Sequence, residues 1–74
     1  MLENFKNKKI LIWGFGVEGI SAFDLIKKIT NNIIIAVKDK NDYINKYHNI
    51  NFINETEILN YNYDIVIKSF ISYI

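Results

Sequence analysis

The sequence predicts an α/β domain on a parallel sheet: Rossmann-like, doubly wound, with strand order 3-2-1-4, and truncated after its fourth strand. Three observations point there. Short unbroken apolar runs bounded by turn residues recur along the chain, as strands covered on both faces require. A stretch with three- and four-residue apolar spacing separates the first two runs, the period of an amphipathic helix. All three glycines of the 74 residues fall as Gly14-x-Gly16-x-x-Gly19, between the first run and that stretch.

The elements follow in order. Residues 9–13, KILIW, read as a buried strand stopped by Gly14. Residues 17–29 read as a helix, with Ala22, Leu25, Ile26 and Ile29 on its inner face and Lys27 and Lys28 in the last turn, where cations suit the dipole. Asn31-Asn32 supplies a residue type that tolerates the left-handed conformation ending many helices. Residues 33–37, IIIAV, form the second strand, β-branched and bounded by Asn and Lys. A loop, DKND, leads into a short helix over 42–47. Residues 50–53 make a weaker third strand, ETEILN one or two helical turns, and residues 64–68, DIVIK, the fourth strand. The alternation of strand and helix predicts right-handed crossovers and parallel pairing. A doubly wound sheet normally continues beyond such a fourth strand, so the chain, 1–74, reads as one incomplete domain. Its outer strand should expose apolar groups around Ile65 and Ile67.

Composition narrows the function classes. Half the residues are hydrophobic and 23% charged, a globular balance. A net charge of +1, all its positive side chains lysine, gives no case for nucleic acid or an anionic membrane as partner. The absence of cysteine excludes a disulfide scaffold and a thiolate metal site. The start lacks the apolar core of a signal peptide, and no apolar run approaches the roughly 18 residues that span a bilayer. A cytoplasmic protein is expected. Lone His48 has no Cys or carboxylate at metal or triad spacing and reads as a surface residue. Tyr43, Tyr47, Tyr61 and Tyr63 read as packing and surface, because basic residues do not surround them as they would a base-stacking platform.

The glycine turn carries the chemistry. Gly14 permits the tight exit from the strand, Gly16 lets backbone approach a phosphate, and Gly19 lets the helix pack close to the strand. The helix then begins with unpaired N–H groups and a partial positive charge aimed at an anion. Asp39 ends the second strand, 20 residues after Gly19, where an acid bonds ribose hydroxyls in dinucleotide folds. Asp also favours turns for local reasons, and a strand-to-helix turn can exist without any ligand.

The stretches NFKNKKILIWG, ILIWGFGVEGIS, AVKDKND and DIVIKSFISYI, in this order, resemble the N-terminal domain of the Mur ligases, most nearly the members that add D-glutamate. The resemblance covers essentially the whole chain. It implies a domain that binds UDP-N-acetylmuramoyl-L-alanine during peptidoglycan precursor synthesis. The backbone of Gly16, Val17 and Glu18 would then face the diphosphate, Asp39 and Lys40 would lie by the uracil, and Ser69 would begin the loop that closes over it. Glu18 sets a carboxylate at the anion end, a modest penalty for phosphate. Where that family reads Ser-Pro-Gly-Ile this chain reads Ser69-Phe70-Ile71, so the loop is rebuilt or binds poorly; simple core packing of Phe70 and Ile71 is the other reading. ATP and magnesium would belong to an ATP-binding domain lying beyond this sequence, since no G-x-x-x-x-G-K-[ST] loop occurs here, and no cofactor is expected in the chain itself. The fragment alone would not catalyse. A nicotinamide-binding dehydrogenase or regulatory domain, and a degenerate fragment that binds nothing, are the competing readings.

Overall fold

The computed structural model describes residues 2–68. The predicted sheet is present: β1 (Ile10–Trp13), β2 (Ile33–Val37), β3 (Asn51–Asn54) and β4 (Ile65–Lys68), every neighbouring pair parallel, in the order β3-β2-β1-β4. Ile10 of β1 lies level with Ile33 of β2 on one side and Ile65 of β4 on the other. The central strands carry the deepest residues. Ile10, Leu11, Ile12 and Ile35 are at most 1% exposed, which is why these runs show no polar alternation.

The one α-helix among the described residues, α1 (Val17–Ile26), and the β2–β3 connection lie on one face of the sheet. Ile10, Ile12, Ile33, Ile35, Val37 and Phe52 point into that side, where Ile20, Phe23, Tyr43 and Tyr47 pack over them. The β3–β4 connection covers the other face, on which Ile58 and Tyr63 meet Leu11, Ala36 and Ile53. Partial burial, with the Tyr61 phenol nearby, raises the Tyr63 hydroxyl above its ordinary value. Two connections on one face and one on the other are what a chain gives when it winds outward from β1 to β3 and then returns to the far side of β1.

Phe15, between the first two glycines, is buried at the centre of an aromatic cage. Its ring meets Phe23, Tyr43, Tyr47 and Phe52 edge-on at 5.2–6.2 Å. Edge-to-face contacts of this kind add about 0.5–1.5 kcal/mol each beyond area burial. Tyr43 and Tyr47 are therefore packing residues, half-buried against the core.

Several boundaries differ from expectation. α1 ends at Ile26 rather than at residue 29, and Leu25 is 48% exposed instead of facing inward. Its packing stripe runs through Gly19, Ile20, Ala22, Phe23 and Ile26. No left-handed Asn closes the helix; among the described residues the non-glycine positive φ angles belong to Asn7 and Asn49. Lys27 is its C-cap, and buried Thr30 fixes the turn that follows. The Thr30 hydroxyl donates to the Lys8 carbonyl and accepts the Asn32 N–H, both at 3.2 Å, turning the chain straight into β2. The helix expected over 42–47 is a single 3-10 turn, Lys40–Asp42, and ETEILN is a 3-10 segment, Glu55–Asn60. Ile65 and Ile67 are half-buried against the core; Val66 and Lys68 are the exposed residues of β4.

Candidate functional site

The glycine turn leaves the carboxyl end of β1 and is fixed before it reaches the helix. Gly14 adopts φ 103°, a left-handed conformation that side chains rarely take, and its N–H is committed to the Ala36 carbonyl of β2 at 2.8 Å. Gly14 thus shapes the turn and does not donate to a ligand. A Cβ on Gly19 would collide with the Gly14 carbonyl oxygen, so the third glycine is set by helix-against-turn packing. Gly16 differs. It is the N-cap of α1, its φ of −82° suits any residue, and a Cβ there would meet nothing within 4 Å.

The first intrahelical bond runs from the Ile20 N–H to the Gly16 carbonyl, at 2.9 Å. The N–H groups of Val17, Glu18 and Gly19 therefore precede the ladder, and Gly16 at the N-cap has no side chain to bond them. Beside them a concavity of about 380 Å3 opens, lined by Ile12, Val17, Glu18, Gly19, Ser21, Ile67 and Lys68. It lies between the carboxyl ends of β1 and β4, where the strand order changes direction, the position at which open parallel sheets receive ligands. Lys68, last residue of β4, stands level with Trp13 and holds its ammonium 4.5 Å from the Trp13 ring centroid. The Trp13 indole N–H donates to Glu55 at 3.2 Å.

A larger hollow, about 860 Å3, spans the amino ends of the strands, with Lys27 and Thr30 on one side and Tyr61 and Tyr63 on the other. It wraps the rim of the sheet and has no helix start directed into it, so volume alone does not make it the better site.

The structure brings Gly14, Gly16, Val17, Glu18 and Gly19 together at one strand end. Asp39 and Lys40 lie past the end of β2 and do not line the concavity. Both are engaged in local structure: Asp39 Oδ1 accepts the Asn41 N–H at 3.0 Å, and Asn54 Oδ1 accepts the Lys40 N–H at 2.7 Å. This is the turn-forming role that Asp has for local reasons. Ser69, Phe70 and Ile71 lie outside the described residues. Ser21, Ile67 and Lys68 were not singled out in the sequence, although the order 3-2-1-4 alone sets the end of β4 beside the glycine turn. His48 is exposed, and among the described residues no group of three or more His, Asp or Glu side chains forms a metal site. No described helix is long and apolar enough to cross a membrane.

No curated protein and no solved structure matches the chain. The family model that matches is the one described as C2185-like, N-terminal, over residues 6–73. That match overturns the resemblance to the Mur ligases. With it go the role in peptidoglycan synthesis, the D-glutamate ligase reading of the chain and the dehydrogenase alternative, none of which has support. The physical reason is that strand, glycine turn and helix start are demanded by backbone geometry wherever a parallel strand feeds a close-packed helix, so those residues report a turn rather than a lineage. The chain belongs to the C2185-like N-terminal family, whose model spans nearly all of it.

Proposed function

We propose that this chain is a small Rossmann-like, doubly wound binding domain whose β1–α1 turn receives the phosphates of a nucleotide-type ligand. The observation that carries the reading is the concavity that opens beside the start of α1, between the carboxyl ends of β1 and β4. Amide N–H groups and a helix dipole favour an anion. About 380 Å3 lies within the range of small-molecule sites, at the small end. Gly16 leaves open space at the N-cap, so a phosphate can approach the backbone there. Glu18 works against this, and affinity in the millimolar range, about −4 kcal/mol, is expected.

The test is an amide NMR titration of the 15N-labelled chain with ADP and, separately, inorganic pyrophosphate. The expected result is shifts at Gly16, Val17, Glu18, Gly19 and Lys68 with both probes. Shifts confined to the amino-end hollow around Thr30 and Tyr63, or none at about 10 mM probe, ten times the expected Kd, would reject the proposal.

A further inference from the structure

The hollow at the amino ends of the strands, about 860 Å3, is larger than the concavity at the glycine turn and has a different chemistry. The four strands run parallel, so the chain enters each of them at this one rim. Asn31 and Asn32 precede β2, Asn49 precedes β3 and Asn51 begins it, and Asn60 and Asn62 stand ahead of β4. Two bonds hold the rim in shape. The Thr30 hydroxyl ties the turn before β2 to the Lys8 carbonyl, and the Tyr63 hydroxyl donates to the Ile58 carbonyl at 3.1 Å. Asparagine is common in turns because its side chain bonds nearby backbone. Asn54, away from the rim, does this where its Oδ1 accepts the Lys40 N–H. The six side-chain amides at the rim bond no described residue. Asn49 serves its turn through its backbone instead, at φ 65°.

We propose that this hollow is a second binding site, separate from the glycine turn, for a small anionic sugar whose hydroxyls the amides hold and whose anionic group Lys9 and Lys28 hold. Charge argues for the anion. No Asp or Glu lines the hollow, while Lys9, Lys27 and Lys28 do. Lys27 pairs with Asp24 at 3.1 Å, but Lys9 and Lys28 are exposed and form no ion pair among the described residues. A concave surface lined by one sign of charge raises the local concentration of the opposite sign. The amides argue for the hydroxyls. Each amide side chain both donates and accepts, as a hydroxyl does. A bare inorganic anion mainly accepts and would leave the amide oxygens unmatched. The lining also includes apolar Ile10, Phe23, Ile33 and Ile50. The Tyr61 ring, 42% exposed and 6.5 Å from the Tyr63 ring, offers an apolar surface to the C–H face of a sugar. A volume of about 860 Å3 lies within the range of small-molecule sites. A hexuronate and a sugar phosphate share this chemistry, and the test tells them apart.

The test is an NMR titration of the 15N-labelled chain with glucuronate and, separately, glucose 6-phosphate, reading backbone and asparagine side-chain amides together. The expected result is a Kd of about 1–10 mM for at least one of the two, with shifts at Asn31, Asn32, Asn49, Asn51, Asn60 and Asn62. The tighter ligand identifies the anionic group. Lys28→Glu reverses an exposed charge, so it should keep the amide spectrum away from the rim and weaken binding severalfold. Tyr61→Ala removes the exposed ring and should also weaken binding; if Lys28→Glu loses its fold, this variant decides. Gly16→Val should leave the rim shifts unchanged, so this site and the phosphate site fail separately. Shifts of equal size with neutral glucose or with inorganic phosphate would overturn the proposal. So would binding insensitive to Lys28→Glu, or no shift at the rim with about 50 mM of either anionic sugar.

Discussion

At the scale of single residues, the three glycines do three different things, and the structure ranks them. Gly19 has no room for a methyl group: its Cβ would strike the Gly14 carbonyl, a backbone atom that cannot move aside cheaply. Gly19→Ala is expected to destabilise the domain by about 1–3 kcal/mol, as overpacking does, measured by urea unfolding. Gly16→Val inserts its side chain into open space and should cost only the weaker N-cap, about 1 kcal/mol. It should nonetheless remove the ADP-induced amide shifts, so stability and binding separate between the two positions. Thr30 is the residue that local pattern hid. A buried threonine in a TNN stretch reads as a loop, yet its hydroxyl joins Lys8 to Asn32 and fixes the turn between α1 and β2. Thr30→Val keeps the shape and deletes both bonds, an expected loss of about 1–2 kcal/mol in the same measurement.

At the scale of elements, what could be read was what backbone periodicity dictates. Strands β1 and β2 are buried along most of their length, so their apolar runs are unbroken and their limits fall within a residue of expectation. The face of α1 was less legible. Leu25 and Phe23 both suit a helical stripe, and the aromatic cage around Phe15 chooses Phe23, a tertiary preference absent from local spacing. The turn was legible as a turn, but nothing in three glycines names a ligand or a family. Asp39 shows the same limit: a strand-end acid serves a ribose or caps a turn, and here it accepts a bond from Asn41. The start of α1 carries opposing demands. Glu18 in the first turn stabilises the helix dipole by about 0.3–1 kcal/mol and repels an anion at the same point. Glu18→Gln is therefore expected to lower stability within that range while strengthening pyrophosphate binding severalfold. Urea unfolding and the NMR titration read the two effects separately, and weaker binding by the variant would contradict the site.

At the scale of the whole molecule, the proposed ligand would draw on a small reserve of stability. A chain of this size buries only roughly 60% of its unfolded surface, and among the described residues one α-helix and short 3-10 segments cover the sheet. Anything that binds the folded form alone raises its melting temperature by mass action. With ADP at ten times a millimolar Kd, the gain is about 1.4 kcal/mol, or roughly 6–11 °C for a domain of 60–100 residues. Gly16→Val should abolish the ADP-dependent rise. The starting point should lie at or below about 65 °C, the top of the usual mesophile range. Differential scanning calorimetry of the wild type and Gly16→Val, each with and without ADP, decides the matter. An ADP-induced rise that survives Gly16→Val would mean the nucleotide binds elsewhere on the molecule.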